Sequence, residues 1–134
     1  MAQLGLMVNH ASRIVCLVAC IASVPSAYSG TALVGNENSG SISLIDTQTD
    51  SVIGEIKTGG KPRGTAIDQK RGVAYVSDQA SNGLLVIDIA KRTVTKRIDL
   101  GESPEGVYIS ADARLVTAAV ELTNSVAFID TSKD

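Results

Sequence analysis

Apolar and polar residues alternate along this chain with a period of two rather than the 3.6 of a helix. From residue 31 onward ten short runs follow one another: "TALVGN", "SISLID", "SVIGEIK", "GTAID", "VAYVSD", "GLLVID", "TVTKRIDL", "GVYIS", "LVTAAV" and "SVAFID". Each is rich in β-branched or small apolar residues, and clusters of Gly, Asn, Asp and Ser separate them. Such runs predict ten strands with no helix between them, an all-β fold.

The runs recur at a fixed interval. Asp46, Asp88 and Asp130 each follow an isoleucine and lie 42 residues apart. The same offset relates Gly59 to Gly101, Pro62 to Pro104, Gly64 to Gly106, Val52 to Val94, Ile56 to Ile98 and Val34 to Val76. Four short antiparallel strands per unit of ~40–45 residues describe a β-propeller blade. The coils of a parallel β-helix are much shorter, and a sandwich does not keep a fixed period. The units run at about 32–73, 74–115 and 116–134, so about two and a half blades are present and the ring is incomplete.

The first 29 residues differ from the rest. Arg13 precedes an apolar run, "IVCLVACIASV" at 14–24, followed by Pro25 and the small-residue stretch "SAYSG", the layout of a secretory signal cleaved after Ala27 or Ser29. The run is shorter than the ~20 residues that cross a bilayer. A start at Met7 gives a more compact signal. "LVAC" ends in Cys20, a lipid-anchor position, but too little apolar sequence separates it from Arg13; lipidation is the minor alternative. The chain is expected to be periplasmic or secreted, with residues 30–134 forming the partial propeller.

That division changes the chemistry on offer. Both cysteines, both methionines and the single histidine lie within residues 1–29, so residues 30–134 hold none of the three. A thiolate or imidazole zinc site, a Ser-His-Asp or Cys-His pair and a His- or Met-ligated haem are excluded there. Losing Arg13 takes the 12 basic residues to 11 against 14 acidic ones, and no basic stripe points to nucleic acid. The dipeptides Lys91-Arg92 and Lys96-Arg97 are expected to decorate the solvent face of a hairpin.

The stretch "AYVSDQASNGLLVIDIAKRTVTKRIDLGESPEGVYISADARLV" resembles the YVTN-type bacterial propeller repeat, which runs Y-V-x-N, V-x-V-I-D, a turn and a strand, G-x-x-P-x-G, a strand, and S-P-D-G. The resemblance covers residues 31–134. "LVGNENSGSISLID", "GGKPRG" and "ELTNSVAFID" are most similar to exported propellers that accompany PQQ-dependent alcohol oxidation. The Asn of Y-V-x-N is Asn36 in the first unit, but Asp78 and Val120 in the next two. The last turn becomes "DQKRG" and then "SADAR"; Gly72 supplies a positive φ to the first hairpin, and the second, lacking glycine, is expected to be looser.

Most landmarks have structural readings. Asp46, Asp88 and Asp130 end strands, where an Asp side chain accepts backbone N–H bonds in a turn; one carboxylate per blade makes no calcium cage. Gly59, Pro62, Gly64, Gly101, Pro104 and Gly106 read as turn residues between an outer strand and the next inner one. Within that turn the first unit carries Lys61 and Arg63 where the next carries Ser103 and Glu105. The connection leads toward the central channel, so Arg63, with Lys61 and Glu105, is the candidate contact for a ligand or partner; pairing of Arg63 with Glu105 is the structural alternative.

Full propellers have 4–8 blades, so the chain is expected to be the N-terminal part of a longer one, with one well-formed inter-blade interface and open strand edges that promote self-association through the strand near 31–34. The function expected is a non-catalytic exported binding module with an unidentified protein or small-molecule ligand at the channel, no cofactor of its own, and a place beside PQQ-linked oxidation that only the resemblance implies. A lactonase-like propeller hydrolase is one alternative, its site lying in further blades. A single-stranded DNA-binding propeller is another, although Tyr75, Tyr108 and Phe128 sit at core-like strand positions.

Overall fold

The computed structural model describes residues 30–133. The signal expected at 1–29, with Cys20, lies outside them. Ten strands form: β1 (Thr31–Asn36), β2 (Ser41–Asp46), β3 (Ser51–Lys57), β4 (Pro62–Asp68), β5 (Val73–Asp78), β6 (Gly83–Asp88), β7 (Thr93–Asp99), β8 (Pro104–Ile109), β9 (Leu115–Val120) and β10 (Ser125–Asp130). They fall on the ten runs, with β4 and β8 beginning two residues early. Single 3₁₀ turns at Glu37–Ser39 and Gln79–Ser81 were not expected from the pattern.

The strands make three antiparallel sheets, β1-β2-β3, β4-β5-β6-β7 and β8-β9-β10. Only the middle sheet has four strands. The middle and third sheets start at an inner strand, β4 and β8, where the sequence unit starts at the second strand, so those sheets and the 42-residue units do not share boundaries. Neighbouring sheets approach most closely where β4 meets β8 and β1 meets β4, which places those strands on the inner side.

Two faces of the middle sheet are buried, one by each neighbour, and this is a correction to the single interface expected. Ala74, Val76, Leu85 and Ile87 pack on Ile42, Leu44 and Ile56 of the first sheet. Tyr75, Leu84 and Ala66 pack on Val107, Val116 and Ala118 of the third. Register explains the split: Ala74 lies opposite Ile87 and Val76 opposite Leu85, whereas Tyr75 lies opposite Val86, so alternate residues serve alternate neighbours. Leu84, Leu85 and Ile87 are fully buried, each contributing about 1.5–3 kcal/mol over an exposed position. With aromatic residues scarce, branched aliphatic chains carry both interfaces.

Gly64 and Gly106 are not in the turn to which the spacing assigned them; they lie inside β4 and β8, and Pro62 and Pro104 open those strands. The β4–β5 register slips between Pro62 and Thr65, which frees the Gly64 N–H from the ladder. It donates instead to Ser77 Oγ at 2.9 Å, and that hydroxyl donates to the Glu105 carbonyl at 2.5 Å. A Cβ on Gly64 would press into the Glu105 carbonyl and lie 2.6 Å from the Val107 nitrogen. Glycine is therefore required by the close approach of two blades' backbones. Gly59 and Gly101, with φ of 74° and 100°, do make the bend.

The hairpin that lacks glycine is held by side chains. Ala113 takes the left-handed conformation at φ 57°, as Gly72 does at 67°. Ser110 Oγ donates to Asp112 Oδ1 at 2.6 Å, and the Arg114 and Leu115 amides donate to Asp112 Oδ1 and Ser110 Oγ.

Gly64→Ala is expected to cost about 1–3 kcal/mol by overpacking against backbone. Gly106→Ala, whose nearest new contact is the Tyr108 ring at 3.5 Å, should stay within about 0.5 kcal/mol. Thermal unfolding of the two variants side by side checks the contrast; equal losses would remove the close-approach argument.

Candidate functional site

The β5–β6 turn, the equivalent turns of the flanking sheets and the connections into β4 and β8 all lie at one end of the blades. There the side chain of Arg63, the second residue of β4, spans three blades. Its Nη2 donates to Glu37 Oε1 of the first sheet at 3.2 Å, and its Nη1 pairs with Glu105 Oε1 of the third. Of the two readings made of Arg63 and Glu105 from sequence, the pairing is the one the structure shows, at the inner ends of the blades. The Glu37 hydrogen bond, aided by the Glu105 charge, holds the guanidinium above its ordinary pKa. Arg63 and both carboxylates remain about one-third exposed, so solvent screening keeps their mutual attraction modest.

A second row of hydrogen bonds lies at the same end. Gln79 Nε2 donates to Ser103 Oγ at 2.9 Å, and Ser103 donates to Glu121 Oε2 at 3.1 Å. Glu37, Gln79 and Glu121 stand 42 residues apart, as do Lys61 and Ser103; at the first blade boundary Glu37 meets Arg63, and at the second Gln79 meets Ser103. Lys61 is exposed, and no described residue forms an ion pair with its ammonium. With Glu102 also exposed, this end carries Glu37, Glu102, Glu105 and Glu121 against Lys61 and Arg63.

Beneath the rim lies a carboxylate that the spacing marked only as a departure from the repeat. Asp78 is fully buried. Its Oδ1 accepts from the Lys61 and Ala80 amides; its Oδ2 accepts from Ser81 Oγ at 2.6 Å and faces Arg97 Nη1 at 3.5 Å. Arg97 Nη2 also donates to the Thr58 carbonyl at 2.8 Å. Arg97 is therefore not surface decoration: it ties the outermost strand of one blade to the connection arriving from the previous one. Gly60 makes room, since a Cβ there would enter the Asp78 carboxylate. Arg92 of the other basic dipeptide lies against Gly54 of the first sheet.

At the opposite end the strand-ending aspartates hold turns. Asp46 Oδ1 accepts from the Gln48 and Thr49 amides, Asp88 Oδ1 from Lys91 and Asp130 Oδ1 from Ser132, at 2.7–3.1 Å. Asp68 does the same for Arg71, but its buried Oδ2 accepts no hydrogen bond and faces Arg71 Nε at 3.4 Å. It borders a cleft of about 960 Å³ between the β4–β5 and β8–β9 turns, which Asp112 and Arg114 also line. Among the described residues no three His, Cys, Asp or Glu side chains gather as a metal site, and no helix is long and apolar enough to cross a membrane.

Ten strands in stacked antiparallel sheets of this period make the chain a partial β-propeller. It belongs to the YNCE-like beta-propeller family, whose model matches residues 13–131. Similar solved structures include Kuenenia stuttgartiensis hydrazine synthase, at 28% identity and a TM-score of 0.73 over 77% of this chain. Dihydro-heme d1 dehydrogenase NirN in complex with DHE follows at 20% and 0.64 over 76%, and apo AztD from Citrobacter koseri at 17% and 0.60 over 78%. The chain spans 30%, 23% and 30% of those three chains. No curated protein matches it.

Two outcomes are expected. Asp78→Ala removes the buried acceptor of the Lys61 and Ala80 amides, the Ser81 hydroxyl and Arg97 and should cost about 1–3 kcal/mol in chemical denaturation, whereas Asp78→Asn, which keeps an acceptor, should cost less than half of that. The carboxylates of Asp88, Asp112 and Asp130 are held below their ordinary pKa, chiefly by the Lys91 amide, the Ser110 hydroxyl and the Ser132 hydroxyl respectively. Groups lowered by folding stabilise above the unfolded carboxylate pKa of ~3.9 and lose that effect as pH falls through their folded values. The melting temperature should therefore drop as pH is lowered from about 5 to 3, and the triple Asn variant should flatten that slope.

Proposed function

We propose that this chain is part of an exported, non-catalytic binding propeller whose contact surface is the charged rim around Arg63. The observation that carries the reading is the Glu37–Arg63–Glu105 bridge: one guanidinium joins three blades at their inner ends, next to the exposed Lys61 ammonium and the Glu102 carboxylate. A preorganised array of opposite charges on a rigid rim suits recognition of a polar partner, because its geometry is fixed before contact and its charges steer encounter. The absence of His, Cys and Met from residues 30–134 supports binding over catalysis.

The fold itself selects no ligand, since the named propellers that share it differ in their stated roles. The resemblance of "LVGNENSGSISLID" and "GGKPRG" to exported propellers beside PQQ-dependent alcohol oxidation supplies the partner class: a PQQ-dependent alcohol dehydrogenase, or PQQ itself, whose carboxylates would suit the exposed Lys61 ammonium. Export rests on the charge, apolar run and small residues of 1–29.

Calorimetric titration of the chain with such a dehydrogenase and, separately, with PQQ tests the reading. Arg63→Ala should weaken the productive titration roughly tenfold or more while moving the melting temperature by no more than a few degrees. Intact binding with lost stability would make Arg63 purely structural. No heat with either titrant would remove the PQQ association. Mass spectrometry of periplasmic protein should find an N-terminus near Tyr28 or Gly30; an intact Met1 would sink export, and an acylated Cys20 would substitute a lipid anchor.

A further inference from the structure

The cleft of about 960 Å³ at the end of the blades opposite Arg63 lies between two hairpin turns, one joining β4 to β5 and the other β8 to β9. Both hairpins are complete, so the cleft has its two walls within the described residues and owes nothing to the sheet faces at either end of the chain. The 42-residue register separates what each turn needs from what it carries. Asp68 is equivalent to Ser110, Lys70 to Asp112, Arg71 to Ala113 and Gly72 to Arg114. Asp68 Oδ1 on the Arg71 amide and the positive φ of Gly72 close the first turn. Ser110, Asp112 and the positive φ of Ala113 close the second. Neither turn uses the side chain of Lys70, Arg71 or Arg114, and none of the three has a cationic equivalent in the other turn. All three nevertheless line one cleft.

The Arg71 guanidinium is fixed from two sides. Its Nε faces Asp68 Oδ2, the buried oxygen without a hydrogen bond, at 3.4 Å, and its Nη1 donates to Thr131 Oγ1 at 2.9 Å. That hydroxyl donates in turn to the Ala113 carbonyl at 2.7 Å. The Asp68 side chain is 2% exposed, so its charge anchors Arg71 from beneath and does not reach a ligand. Lys70 and Arg114 are exposed, and among the described residues neither forms an ion pair. Asp112 is exposed too and offsets part of the Arg114 charge. The accessible charge is thus three cations against one carboxylate. Ile67 and Ile109, both half-buried, supply apolar wall between them.

We propose that this cleft binds a small organic polycarboxylate, whose anionic groups pair with Lys70, Arg71 and Arg114 while its carbon body lies over Ile67 and Ile109. A guanidinium held in place presents a planar fork that matches a carboxylate, and little ordering remains to be done on binding. The volume lies in the range of small-molecule sites, where apolar walls and a few placed polar groups divide the work of affinity and specificity. The site is separate from the Arg63 rim and does not rest on what that rim binds.

Titration of the isotope-labelled chain at low ionic strength, followed in proton–nitrogen NMR spectra, reads the site directly. The probes are phthalate, a dicarboxylate with an apolar ring, and inorganic phosphate, an anion without one. Phthalate should give saturable shifts centred on the amides of 69–72 and 111–114, and should bind at least about threefold more tightly than phosphate. Lys70→Ala with Arg114→Ala should weaken phthalate about tenfold. Because both positions are exposed, the melting temperature of that variant should move by no more than a few degrees. Arg63→Ala should leave the affinity for phthalate unchanged. No saturable shift, shifts centred on the Arg63 end, phosphate binding as tightly as phthalate, or a double variant that binds like the parent would each overturn the proposal.

Discussion

The structure depends on how closely adjacent blades can bring their inner strands together. At the β4–β8 junction that distance is set by a missing side chain and one hydroxyl. Gly64 lets the backbone of one blade reach the Glu105 carbonyl of the next, and Ser77 satisfies both the amide freed by the β4 bulge and that carbonyl. Without the bulge the amide would stay in the ladder, and without Ser77 the part-buried Gly64 amide and Glu105 carbonyl would both lose the hydroxyl that bonds them. Once the inner strands are pinned, Tyr75 and Leu84 fall onto Val116 and Ala118. The charged rim then follows, since Arg63 reaches Glu37 and Glu105 only because three inner ends converge.

Much of this was legible from residues alone, and for a physical reason. A repeat of 42 residues must use each strand the same way, so the period-2 pattern of "GLLVID" is read three times and errors in one copy are exposed by the others. The same redundancy hid what lies between copies. Arg63 and Glu37 are 26 residues apart and meet because blades stack, whereas Arg97 and Asp78 meet across the strands of one sheet; neither pair shows as a motif because strand and blade packing, not chain order, creates them. Gly64 and Gly106 read as bend residues because spacing cannot distinguish a glycine that needs a positive φ, as Gly59 does, from one that needs an empty Cβ position. Export, the catalytic question and the identity of a ligand were addressed by the sequence through residues 1–29, a missing imidazole and a resemblance, and they stand as the proposals made above.

The three copies of the rim also differ in a coupled way. Where the middle blade buries Asp78, it supplies Arg97 as a counter-charge and Gly60 as space. In the first blade the equivalent of Asp78 is Asn36, a neutral group that bonds Ser41 and Ser43, and the equivalent of Arg97 is Glu55, which turns to Lys57. In the third blade Val120 removes the polar group altogether, and position 102, the equivalent of Gly60, carries a glutamate. A buried carboxylate without a partner is costly, and the charge is absent together with its cation in the first blade and together with its glycine in the third. The release of Gly60's constraint at position 102 adds a carboxylate to the rim. Substitutions that look independent along the chain are thus one decision about where a charge is buried, and its by-product is the acidic balance of the surface that surrounds Arg63.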